Sequence, residues 1–126
     1  CHTVYHGRVP HQRVLEILKE TDFTVLMRSS YQRYAMAGFP TKMVESLSRS
    51  TPMICNLTSD MGQYLVDGYN ALIVKNCNSK QLLGAIRRAL SMGLDQRMEM
   101  SNQAWKTATE HFLCEKYLPV LKKLLS

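Results

Sequence analysis

Cysteine is scarce in this 126-residue chain, and its four copies, Cys1, Cys55, Cys77 and Cys114, are widely scattered. There is no CxxC pair and no His/Cys spacing suited to zinc or redox work. A secreted disulfide scaffold is denser in cysteine, so reduced, unpaired thiols are expected. Aromatic residues make up only 8% of the chain and do not interleave with the basic ones. That removes the stacking platform that single-stranded nucleic acid needs. No nucleic-acid motif is present either, and nucleic acid is not an expected partner. No run is long or apolar enough to cross a bilayer. Acidic residues are few, 10 against 16 Lys plus Arg, giving a formal charge of +6. Such a balance favours anionic ligands or acidic surfaces without choosing among them. Repeats, linkers and low-complexity tracts are missing, and the composition fits a cytoplasmic protein.

What is present suffices for one domain. Apolar residues make up 45% of the chain, enough for a single core. Cys1-His2-Thr3-Val4-Tyr5 opens without methionine and inside an expected strand. The chain therefore reads as a piece of a longer protein.

Short apolar runs alternate with helical periodicity. Strands are expected at Thr3–His6, Phe23–Met27, Met53–Cys55 and Ala71–Val74, the second of them covered on both faces. Helices are expected over His11–Glu20, Thr41–Arg49, Gln63–Val66 and Ser79–Met92. The helix from Ser79 should bury a stripe of Leu82, Leu83, Ile86 and Leu90 while Arg87 and Arg88 face out. Two more helices, Leu94–Phe112 and Glu115–Leu125, should follow, the last weakened or displaced by Pro119. Arg28–Ala37 reads as the most mobile loop. This alternation is the signature of an α/β, Rossmann-like parallel sheet flanked by helices. Four strands make a thin version of it, completed by one or two strands upstream.

In such a sheet, ligands lie beyond the carboxyl ends of the strands. Four loops gather there: Gly7–Pro10, Arg28–Thr41, Asn56–Gly62 and Lys75–Asn78. The segment GFPTKMVESLSRSTP, Gly38 to Pro52, carries the clearest chemistry. A helix opening after a glycine-containing loop presents unpaired N–H groups to a phosphate. Glu45, among apolar Met43, Val44 and Leu47, offers two acceptor oxygens to a pair of ribose hydroxyls. A capping interaction or an exposed helix face also fits it. Lys42 suits neutralisation of a diphosphate, and equally a solvated surface. Gly38-Phe39-Pro40-Thr41 is not a phosphate-loop motif, and Thr41 fits a helix cap. Arg28 and Arg33 flank the same edge as phosphate clamps. Asn56, Leu57, Thr58, Ser59 and Asp60 combine donors and acceptors for a sugar or base, or form an ordinary turn. His6 and His11 have no partner carboxylate in the sequence, and Cys55 reads as packing.

GFPTKMVESLSRSTPMICN followed by SDMGQYLVDGYNALIV resembles the C-terminal, donor-binding domain of retaining GT-B glycosyltransferases of group 4, the glycogen synthase-like family. HGRVPHQRVLEILKETDFTVLMR is similar to the segment just upstream in that family, and ATEHFLCEKY to its closing helices. The likeness covers nearly the whole chain. It implies one half of a GT-B fold spanning residues 1–126, partnered by a missing N-terminal domain of the same protein.

The resemblance also implies roles. Glu45 falls on the family's second glutamate, which holds the ribose. The first falls on Ala37, a departure that leaves the usual sugar contact unfilled. A polysaccharide-assembly branch tolerates that loss and carries lysine where Lys42 stands. Backbone N–H groups of Gly38 and Phe39 would face the sugar and diphosphate, and Arg28 the leaving phosphate. Gly68 and Asn70 match a structural DG-x-N turn. The implied reaction moves a sugar from a nucleotide-diphosphate donor to a glycan or lipid-linked acceptor with retention. Charge on the leaving diphosphate would be met by Lys42, Arg28 and the helix N-terminus, with no metal or cofactor required. Alone, this chain would bind nucleotide weakly and catalyse nothing. An inner-membrane-face location with peripheral contact to acidic lipid is a further implication. An epimerase domain, or a non-catalytic nucleotide-sugar-binding or scaffolding module, fits the same fold.

Overall fold

A computed structural model describes residues 3–29 and 41–125. Helix α1 (His11–Glu20) leads into strand β1 (Thr24–Leu26), and α2 (Thr41–Ser48) into β2 (Met53–Asn56). A 3-10 helix (Ser59–Gln63) and a turn precede β3 (Ala71–Val74). Helices α3 (Ser79–Ser91) and α4 (Leu94–His111), a second 3-10 helix (Cys114–Tyr117) and α5 (Leu118–Leu125) complete the order. The three strands form one parallel sheet in the order β1-β2-β3, with Thr24 opposite Met53 and Met53 opposite Ala71.

Strand alternation divides the core into two layers. Met53, Cys55 and Ala71 face one side, packed with Met43 and Leu47 of α2 and Ala104 and Ala108 of α4. Ile54, Leu72 and Val74 face the other, covered by Ala85 and Ala89 of α3 and by Met100. Central β2 is buried at every residue, as a parallel strand covered by helices must be.

Several expectations fail for identifiable reasons. Residues 3–7 form no strand, and Val4 and Tyr5 are exposed. A strand exists only through pairing, and among the described residues this segment has no strand partner before Gly7, at φ 68°, turns the chain. The strand at β1 is shorter than Phe23–Met27, and Val25 is half exposed, so it is not covered on both faces. On α3 the buried pair is Ala85 and Ala89, with Leu82 and Ile86 partly covered. Leu83 and Leu90 of the expected stripe lie in solvent.

The helix expected over Gln63–Val66 is replaced by the 3-10 turn at Ser59–Gln63. Asn70 takes over the backbone groups that such a helix would have used. Its Oδ1 accepts from the Val66 amide at 2.8 Å, and its Nδ2 donates to the Tyr64 carbonyl at 2.9 Å. Pro119 displaces the final helix: α5 starts at Leu118, leaving the proline in the first turn, where no N–H is needed.

Candidate functional site at the carboxyl edge of the sheet

Helix α2 leaves the carboxyl edge of the sheet, and its first two turns carry Thr41, Lys42 and Glu45. Thr41 and Lys42 are exposed. Glu45 keeps 37% of its side chain in solvent and faces His11, whose Nδ1 lies 4.0 Å from Glu45 Oε1. The sequence shows no carboxylate for His11, because 34 positions separate the two residues. Only the packing of α1 beside α2 joins them. Helix α1 runs back toward β1, so its first residue reaches the edge from which α2 departs.

Lys42 and Glu45 sit together on a cleft of about 350 Å³ between α1, β1 and α2, whose floor is apolar at Val14, Leu18, Leu26 and Met53. The helix is held from behind by Ser46, one residue past Glu45 and 1% exposed. Ser46 donates to the Thr51 carbonyl at 2.6 Å. The Thr24 hydroxyl, 2.6 Å away, therefore acts as donor to Ser46, which has a single proton to give. That chain ties α2 to β1 and to the entry of β2, and fixes the direction in which Glu45 points. A polar residue at a buried helical position was the signal available in the sequence.

The tips of β1 and β2 are joined by Asn56. Its Oδ1 accepts from the Arg28 amide at 2.9 Å, and its Nδ2 donates to the Arg28 carbonyl at 2.6 Å. Both ends of the Asn56 amide are thus occupied by main chain, and Arg28 is anchored at the edge. Among the other candidates, Thr58 is buried, with its hydroxyl 3.5 Å from the Met61 sulfur. Ser59 opens the 3-10 helix, and Asp60 is exposed in its first turn, 3.5 Å from Gln63 Nε2. The structure thus brings Lys42 and Glu45 together with His11, and places Asp60 on the loop after β2. Gly38, Phe39 and Pro40, with Arg33 and Ala37, lie outside the described residues.

Cys55 is fully buried, and burial raises its thiol pKa from 9.0 to about 12. It stays protonated and inert, a packing residue. Gly68 and Asn70 form a structural turn. Asn70, 1% exposed, also donates to the Thr107 hydroxyl at 2.8 Å and so pins α4 to the entry of β3. No helix among the described residues is long and apolar enough to span a membrane.

Comparison with known proteins agrees with this architecture. A sucrose-phosphate synthase from Thermosynechococcus elongatus superposes with a TM-score of 0.79 at 16% identity, over 97% of this chain and 29% of that one. A glycosyltransferase from Rickettsia africae gives 0.61 at 17% identity, over 82% of this chain and 28% of that one. The chain thus spans under a third of the length of either structure. No curated protein sequence matches it. The family profile described as glycosyl transferases group 1 matches residues 2–107. The chain belongs to that glycosyltransferase family, and its α/β domain resembles one half of a GT-B fold.

Proposed function

We propose that residues 1–126 form the donor-binding domain of a retaining glycosyltransferase of the polysaccharide-assembly branch, working with an N-terminal domain of the same protein. The observation that carries this reading is the pairing of Lys42 and Glu45 on one cleft at the start of α2. A cation beside an acceptor-only carboxylate matches a nucleoside diphosphate, which offers anionic phosphates next to a vicinal diol.

In this reading Glu45 accepts hydrogen bonds from the two ribose hydroxyls. The amide-rich start of α2 and Lys42 receive the pyrophosphate. Gly38, Phe39 and Pro40 with Thr41 contribute main chain around the sugar and phosphates. The loop of Thr58, Ser59 and Asp60 lies on the base or sugar side.

As the bond from the anomeric carbon to the leaving phosphate oxygen breaks, the sugar becomes oxocarbenium-like and negative charge grows on the diphosphate. Lys42, Arg28 and the helix N-terminus stabilise that charge more strongly in the transition state than in the bound donor. The sugar passes to a glycan or lipid-linked acceptor held by the other domain, and this chain alone is inactive. The cytoplasmic side of a membrane with acidic lipid suits the net positive charge.

Calorimetric titration of the chain with UDP, GDP, ADP and CMP tests the reading. One of the nucleoside diphosphates should bind better than CMP, which lacks the second phosphate. Equal or absent binding of all four would overturn it.

A further inference from the structure

A second concavity opens at the other end of the sheet. The turn Asp67–Asn70 leads into the amino end of β3, α3 finishes beside it, and α4 starts there. Together they enclose an open groove of about 550 Å³ that shares no lining residue with the Glu45 cleft. Its wall combines Tyr69, 42% exposed, with Arg88, Asp95, Gln96, Glu99 and Gln103.

Arg88, Gln96, Glu99 and Gln103 are held by hydrogen bonds within the protein. Arg88 Nη1 donates to both carboxylate oxygens of Asp67, at 2.9 and 3.0 Å. Its Nη2 lies against Gly68, where an added Cβ would approach to 3.3 Å and where φ is +78°. The positive φ favours glycine there. Glu99 Oε1 accepts from Gln103 Nε2 at 2.6 Å, and Gln96 Oε1 accepts from the Gly93 amide at 3.3 Å. Among the described residues, the enclosed Oε1 of Gln103 has no hydrogen-bond partner.

The chemistry selects a ligand class. Arg88 is neutralised by Asp67, while Asp95 and Glu99 make no ion pair among the described residues, so the groove repels phosphate. No group of three or more His, Cys, Asp or Glu among the described residues would hold a metal ion. A pyranose suits what is left. Its C–H face packs on the tyrosine ring, and its hydroxyls donate to Asp95 and Glu99 and accept from Arg88 and Gln96.

We propose that this groove is an accessory binding site for an uncharged glycan, separate from the donor cleft. It holds one or two sugar units of a chain and would tether a polymeric ligand to the domain. The inference does not depend on the role given to Glu45.

The test is amide-resolved NMR titration of the full 126-residue chain with maltotriose and with cellotriose. One of them should shift amides around Tyr69, Gln96 and Glu99 with a Kd on the order of 1 mM. Tyr69→Ala and Glu99→Gln should each weaken binding about tenfold, the loss of one good contact, with Tyr69→Phe close to wild type. Thermal melts of each variant separate lost binding from lost fold, and Glu99→Gln, on an exposed helix face, serves if Tyr69→Ala is unstable. Saturating UDP should leave the saccharide response unchanged, so the two sites fail independently. Absence of shifts with both trisaccharides, shifts confined to the Glu45 cleft, or tighter binding of spermidine than of either sugar would overturn the proposal.

Discussion

Asn70 and Glu45 are both polar residues at the rim of the sheet, and their surroundings separate architecture from chemistry. Every part of the Asn70 amide is bonded to protein, from Val66, Tyr64 and Thr107, with almost no exposure. Removing it strands a backbone amide and a carbonyl. Asn70→Ala should therefore lower stability by about 2–4 kcal/mol, read from urea midpoints. Glu45 keeps over a third of its side chain open, and its one ion pair among the described residues is with His11 at 4.0 Å. Glu45→Ala should leave the urea midpoint within about 0.5 kcal/mol of wild type, because it removes no buried bond. A large destabilisation would move Glu45 into the structural class.

At the scale of elements, α3 shows how side-chain size sets the layer. Ala85 and Ala89 are nearly buried and pack with Ile54, Leu72 and Val74. Ala85→Leu should cost about 1–3 kcal/mol by overpacking, whereas Leu90→Ala, at an exposed position, should change stability by under about 0.5 kcal/mol. Thermal melts of the two variants check both. The leucine stripe was the strongest periodic signal in the chain, yet two of its four members lie in solvent. Periodicity locates a helix and its general apolar face. It does not show which of the apolar residues on that face meet the sheet. The helix bounds, by contrast, were legible to within a residue or two at α1, α2, α3 and α4, where caps and breakers such as Pro10, Gly93 and Pro52 are local. The turn after the first 3-10 helix was not, because Asn70 satisfies Tyr64 and Val66 from beyond the segment. For the same reason Lys42 and Glu45 were readable as a pair one turn apart, while His11 and Asn56 were not. Their partners arrive through the fold.

Across the whole molecule, the buried thiol couples the core to pH. In the unfolded chain Cys55 loses its proton near the ordinary 9.0, whereas in the folded chain burial holds it to about 12. The folded state therefore binds the extra proton between those values, and stability falls as pH rises from about 9 towards 12, by up to about 1.4 kcal/mol per pH unit. Below 9 the thiol is protonated in both states and contributes no slope. Cys55→Ala should flatten this part of the alkaline loss, measured as urea midpoint against pH. Native alkylation should label Cys77, which is exposed, and spare Cys55.

The architecture places an apolar-floored cleft beside one carboxylate and one ammonium at the sheet edge, and the family supplies the reaction class. Whether that carboxylate grips a ribose is measured most directly by a paired titration. The tightest-binding nucleoside diphosphate and its 2′-deoxy analogue are each titrated against wild type and Glu45→Ala. Wild type should prefer the ribonucleotide by about tenfold or more, the worth of one charge-assisted hydrogen bond of about 1.5–3 kcal/mol, and the variant should lose that preference. Equal preference in both proteins would contradict the assignment of Glu45 and, with it, the donor site.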